Sequence, residues 1–158
     1  MKILTINSKE YMFEFSIEAS LYNECTEKVT SLMVGIGAAQ DKEDIKEIVS
    51  TISNIPLVAM TLFYAGLMEH HGINGDKSVI TMASAKELVK EYLSEHKEDG
   101  QGNFYAIMNE MIACMGDDGF FELTGLSQMM KGEDEEATKK TPKVPQDHKK
   151  KVVAVTKN

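Results

Sequence analysis

Lys2-Ile3-Leu4-Thr5-Ile6-Asn7-Ser8-Lys9-Glu10-Tyr11-Met12-Phe13-Glu14-Phe15 alternates in steps of two, and that alternation decides the fold. Leu4 and Ile6 share one face of a strand expected over Ile3 to Ile6. Tyr11, Phe13 and Phe15 share one face of a second, Tyr11 to Phe15. The polar run Asn7 to Glu10 lies between them, and Asn7 and Ser8 are good turn formers. An isolated hairpin is marginal in water, so its apolar face needs a helix to lie on. Ser16 offers an N-cap for one, with Ile17, Leu21, Cys25, Val29, Leu32 and Ile36 repeating every three or four residues and Gly35 and Gly37 loosening its end.

Further along, Asp41 or Asp44 can cap a helix carrying Ile45, Ile48, Val49, Ile52 and Ile55 on one side. Lys42, Glu43, Lys46 and Glu47 take the other side. Pro56 is expected to break this helix and to start another that runs to His71 and stops at Gly72. Apolar residues surround most of it, which predicts a central position. Residues 72–82 read as a polar loop with a short extended piece at Val79 and Ile80. Ser84 with Glu87 forms a capping box for a helix with Ala85, Leu88, Val89, Tyr92 and Leu93 facing inward. After Gly102, the spacing of Phe104, Ile107, Met108, Met111, Ile112 and Met115 marks another, halted by Gly116. The expected fold is therefore α+β and mainly α: an N-terminal β-hairpin packed on a bundle of about five helices.

A length of 158 residues suits one domain on a scale of about 100 to 200 residues per domain. From Gly132 onward the composition shifts to Glu133 through Glu136, scattered Lys, Thr and Pro, then Lys149 to Lys151. This predicts a single globular domain over 1–131 and a disordered charged tail over 132–158. The net charge of −8 divides into −10 on the first segment and +2 on the second. All 17 basic residues are lysine. Without arginine's bidentate fork, an acidic chain is a poor reader of nucleic acid. The N-terminal apolar stretch ends before a signal core of about 7 to 15 residues could form. The most apolar window, Ile55 to Met68, holds 14 residues, short of the roughly 20 needed to cross a bilayer. A buried helix, no membrane partner and a cytoplasmic setting are expected. Cys25 and Cys114 are too few and too far apart for a disulfide framework or zinc knuckle.

Candidate chemistry is sparse. Glu69-His70-His71 places two histidines about 100° apart on a helix, so they cannot chelate one ion as an i, i+4 pair would; a polar last turn is the simpler reading. His96 and His148 are isolated. Both cysteines fall on apolar faces, where a small buried hydrophobe is the usual identity. Gly35-Ile36-Gly37 lacks the remaining elements of a phosphate loop. Asn74-Gly75-Asp76 and Glu98-Asp99-Gly100 lack the alternating carboxylates of a calcium loop. Asp117-Asp118 reads as a solvated acidic turn. No catalytic, metal or cofactor site is expected.

Methionine departs from background, at 11 residues. Met108, Met111, Met115, Met129 and Met130 fall beside Phe104, Phe120, Phe121 and Leu126. Flexible thioethers line grooves that accept apolar helices, so Phe104, Met108, Met111, Met115, Phe120, Phe121 and Met129 are the expected partner-binding residues. A stripe at helical spacing is also what an ordinary core requires.

In order along the chain, the hairpin Lys2 to Tyr11 with Phe13-Glu14-Phe15, then Leu62-Phe-Tyr-Ala-Gly-Leu-Met-Glu-His-His-Gly72, Ser84-Ala-Lys-Glu-Leu88, Gly102-Asn-Phe-Tyr105 and Met115-Gly-Asp-Asp-Gly-Phe-Phe121 resemble tail assembly chaperones. These belong to long-tailed phages and prophages of Gram-positive bacteria. The resemblance spans most of residues 1–130. It implies a non-enzymatic protein that coats the tape measure protein, keeps it soluble and recruits the major tail tube protein through a longer, frameshifted form. It also implies action in the host cytoplasm and absence from the mature virion. Homo-oligomerisation stays open. The competing expectation is a structural virion component, such as a head-to-tail connector or tail-completion protein.

Overall fold

Lys2–Ile6 (β1) and Lys9–Phe13 (β2) pair antiparallel, with Ile6 opposite Lys9 and Lys2 opposite Phe13. The computed structural model describes the backbone of residues 1–41 and 45–128 and the side chains of 1–33 and 52–128. Asn7 and Ser8 turn the hairpin with φ of 51° and 61°. Two successive positive φ values are the type I′ geometry that matches the twist of flanking strands. Ile6, Tyr11 and Phe13 enter the core, while Ile3 on the opposite face is exposed. The second strand ends two residues earlier than the sequence pattern predicts, because β1 has no partner for Glu14 or Phe15. Their N–H groups are taken elsewhere: Glu14 donates to the Gly66 carbonyl at 2.8 Å and Phe15 to Asp118 Oδ2 at 2.8 Å.

The helix expected from Ser16 onward is two helices, Ile17–Leu21 (α1) and Asn23–Asp41 (α2). Tyr22 separates them in an extended conformation, with φ −82° and ψ 96°. The break changes which side faces inward. Ala19, Cys25 and Val29 are buried, but Ile17 and Leu21, expected on the same apolar face, point to solvent. Ser16 stands at the N-cap without a capping bond from its side chain. Helix α2 continues through Gly35 and Gly37 to Asp41, so these glycines do not end it.

The next helix, α3 (Ile45–His71), also departs from expectation by running through Pro56. Proline removes the N–H that would serve the carbonyl of residue 52. Ile52, Pro56 and Leu57 are all exposed, so the interruption lies on a wet side, where water can take the carbonyl's bond. Helix α3 is central, as its composition predicts: α1, α2, β2, Met82–Glu95 (α4) and Phe104–Asp117 (α5) all pack on it. From Val58 to His71 it is enclosed on most sides, with Leu62, Phe63, Ala65 and Leu67 fully buried.

Helix α4 starts one turn before the expected capping box. Thr81 is the N-cap, its Oγ1 accepting from the Ser84 N–H at 3.1 Å, and Glu87 instead pairs with Lys90 at 2.6 Å. Asn103 caps α5 by accepting from the Ala106 N–H at 2.9 Å. A short helix, Phe120–Leu123 (α6), and helical residues 126–128 follow. The fold is mainly helical, at 65%, with an N-terminal antiparallel hairpin, as the sequence predicts. Asp41, one of the two caps expected for α3, is instead the last residue of α2, and the other, Asp44, with the tail 132–158 and His148, lies outside the described residues.

Candidate interaction surface

The methionine and phenylalanine stripe turns inward. Met111, Met115 and Phe120 are 0% exposed and Met108 5%, packed in one cluster with Phe13, Phe15 and Phe63. Phe104 and Phe121 are half-buried at its margin, and Met129 lies outside the described residues. The structure thus gathers six of the seven expected contact residues, four of them as interior and two, Phe104 and Phe121, at its margin. An incoming segment could reach Met111 or Met115 only if the domain opened.

Polar chemistry concentrates where the last turn of α3 meets the N-terminal strand. Glu69, His70 and His71 each engage an alternate residue of the extended segment. Ser16 Oγ donates to Glu69 Oε2; His70 Nε2 and Glu14 Oε2 lie 2.7 Å apart; and the Met12 N–H donates to His71 Nε2 at 3.0 Å. His71 Nδ1 faces Asp76 Oδ2 at 3.0 Å and Ser78 Oγ at 3.1 Å. With Nε2 accepting from a backbone N–H, Nδ1 must carry the proton. Both nitrogens are engaged by protein partners, and the ring braces α3 against β2 and the loop that follows it. The Ser78 hydroxyl and N–H, then the His71 ring, hold the Asp76 carboxyl down to about 2.

Asp118, expected in a solvated turn, has a side chain only 7% exposed. Its carboxylate accepts from the Phe15 N–H at 2.8 Å and meets the Met1 ammonium, with Cys114 Sγ at 3.5 Å. It therefore fastens both ends of the hairpin to α5. Among the described residues no group of three His, Cys, Asp or Glu side chains could hold a metal ion. Burial pushes the Cys25 thiol up to about 12 and raises that of Cys114, so both stay protonated at neutral pH.

What the domain does present is aliphatic surface around α1. Ile17 is 62% exposed, Leu21 72%, Ile73 70% and Ile80 47%. Two ties bring α1 and the 72–81 loop to the same side of α3. Asn74 Nδ2 donates to Glu18 Oε1 at 2.9 Å. The Tyr22 and Tyr64 rings meet edge to face at 5.6 Å, while the Tyr64 hydroxyl donates to the Ile80 carbonyl at 3.1 Å. Ile17 and Leu21 keep helical spacing with Cys25, which places them on the buried face in sequence, and only the kink at Tyr22 turns them outward.

The apolar stretch Ile52–His71 is 20 residues, longer than the window read from sequence, and by length and composition alone it could cross a membrane. Its contacts with five surrounding elements and its bonds to the hairpin make it this domain's core helix. No protein-family model, curated protein or solved structure matches this chain.

Proposed function

We propose that this protein is a tail assembly chaperone of a long-tailed phage or prophage, a non-enzymatic partner that binds the tape measure protein and keeps it soluble. Two things support the reading: the ordered resemblance along residues 1–130 and an acidic domain that displays aliphatic side chains. The observation that carries it is the exposure of Ile17 and Leu21 on α1 and of Ile73 on the loop that Asn74 ties to Glu18, in a domain whose first 131 residues hold 20 carboxylates against 10 lysines. Exposed aliphatics supply affinity for an apolar client, and net charge opposes clumping of the complex. Recruitment of the major tail tube protein belongs to a longer frameshifted form, and the site of action is the host cytoplasm.

Co-expression with the tape measure protein encoded in the same phage tests the proposal. The client should move from the pellet to the soluble fraction and co-purify with the chaperone. Mass spectrometry of purified virions should then lack the protein. Its presence there at stoichiometric level would favour a connector or tail-completion subunit instead, and an insoluble client would remove the chaperone reading.

A further inference from the structure

The charges around α1 narrow what the exposed aliphatic surface can hold, on the reading that the domain masks an apolar client. Residues 10–27 contain Glu10, Glu14, Glu18, Glu24 and Glu27 and no lysine, and Lys77 is the one cation of the 72–81 loop against Asp76. Glu18 and Glu24 are held beside the aliphatics, Glu18 by Asn74 and Glu24 by the Tyr22 hydroxyl at 2.6 Å. Ile17 and Leu21 stand one helical turn apart on the outer face of α1, the spacing that meets a partner helix as a ridge. Ile73 and Ile80 are exposed on the loop that Asn74 ties to Glu18.

We propose that α1 and the 72–81 loop form a docking surface for a basic amphipathic helix, one with leucine-type side chains along one face and lysine or arginine at its margins. The aliphatics bury against the apolar face, and Glu18 and Glu24 meet the flanking cations. The surface is preorganised: α1 is pinned through Ser16 to Glu69 and through Glu18 to Asn74, so docking orders little of this domain. An acidic helix would bring carboxylate to carboxylate and is rejected.

Fluorescence anisotropy with the full chain tests this, using a labelled leucine/lysine amphipathic peptide of about 18 residues, five helical turns, and its leucine/glutamate counterpart. The lysine peptide should bind at least about tenfold tighter than the glutamate peptide, and less tightly at high salt. Leu21→Asp and Ile73→Asp should each weaken the lysine peptide about tenfold although each adds negative charge. Tyr105→Asp adds the same charge at an exposed site about 20 Å along α5 from Asp118 and should leave binding unchanged. Circular dichroism verifies that each variant is folded, and Ile73→Asp serves if Leu21→Asp is not.

Equal binding of the two peptides, or Leu21→Asp binding as tightly as the parent, would overturn the proposal. The chaperone reading fails separately. If Leu21→Asp loses the peptide while the co-expressed tape measure protein stays equally soluble, the docking surface stands and the client assignment falls. If the parent keeps the client soluble but ignores the lysine peptide, the reverse holds.

Discussion

His71 Nε2 accepts the backbone N–H of Met12 across 59 residues of chain, at 3.0 Å. That bond joins the last turn of α3 to β2, and the Tyr11 ring covers the imidazole edge-on at 5.3 Å. His71 is only 5% exposed, so deleting its ring leaves the Met12 N–H without an acceptor and opens a void. His71→Ala should cost about 2 to 4 kcal/mol, combining an unsatisfied part-buried donor with a lost side chain. Urea denaturation of parent and variant measures it; an unchanged midpoint would show that water serves Met12 equally well.

Asp76 sits on the other side of the same ring. Its carboxyl is held down to about 2 from an ordinary 3.8, first by Ser78 and then by His71. A depressed carboxyl contributes stability fully above its unfolded value and loses it as pH falls through the folded one. The window is therefore pH 4 down to 2. Asp76→Asn should be less stable than the parent at pH 6 by an amount that shrinks toward zero across that window. Parallel urea midpoints at pH 6, 4 and 2.5 give the readout, and a gap that widens on acidification contradicts it.

Gly66 lies where α3 crosses the hairpin's exit. A Cβ there would stand 3.0 Å from Phe13 and 3.2 Å from Phe15. Neither ring is free to retreat: Phe13 packs edge to face on Phe63 at 4.8 Å and Phe15 on Phe120 at 5.8 Å. Alanine gains about 1 kcal/mol of helix propensity, but overpacking costs about 1 to 3 kcal/mol. Gly66→Ala should destabilise, whereas Gly116→Ala, with only Phe121 at 4.0 Å, should not. Thermal melts of the two variants separate the effects.

Much of this arrangement was legible in the residues. The alternation of Leu4 and Ile6 with Tyr11 and Phe13 marked the hairpin and its inner face. The 3.6-residue spacing of Ala85, Val89 and Tyr92, and of Ile107, Met111 and Met115, marked α4 and α5. Periodicity tells that a face is apolar, but not whether the chain's own elements or a partner will cover it, so Met108 through Met115 read as groove and core alike. It also assumes an unbroken helix, which is why one extended residue, Tyr22, reversed Ile17 and Leu21. The clamps formed by Glu69, His70, His71 and Asp118 join residues 53 to 117 positions apart, and no local signal encodes such pairs.

The thiols offer a probe of the core's closure. Cys25 is 0% and Cys114 2% exposed, and burial pushes the Cys25 thiol up to about 12. Disulfide-exchange reagents need an accessible thiolate. At pH 8 the native protein should react over hours or longer, and both cysteines at once in denaturant. A rapid single-equivalent reaction of the native chain would mean that one of these faces opens readily.

The contrast between Met111 and Leu21 distinguishes interior from interface most directly. Met111 is 0% exposed beneath α3, and Leu21 is 72% exposed on α1. Truncating a buried methionine to alanine costs about 2 to 5 kcal/mol through lost transfer energy and a cavity. Truncating an exposed leucine falls within about 0.5 kcal/mol of neutral. On the proposed chaperone reading, Met111→Ala should therefore lower stability and reduce client solubility only as far as it unfolds the protein. Leu21→Ala should leave the denaturation midpoint in place and still weaken client capture. Measuring midpoint and client solubility on the same two variants decides the matter. A Met111→Ala chain that is fully stable yet cannot hold its client would return the binding surface to α5.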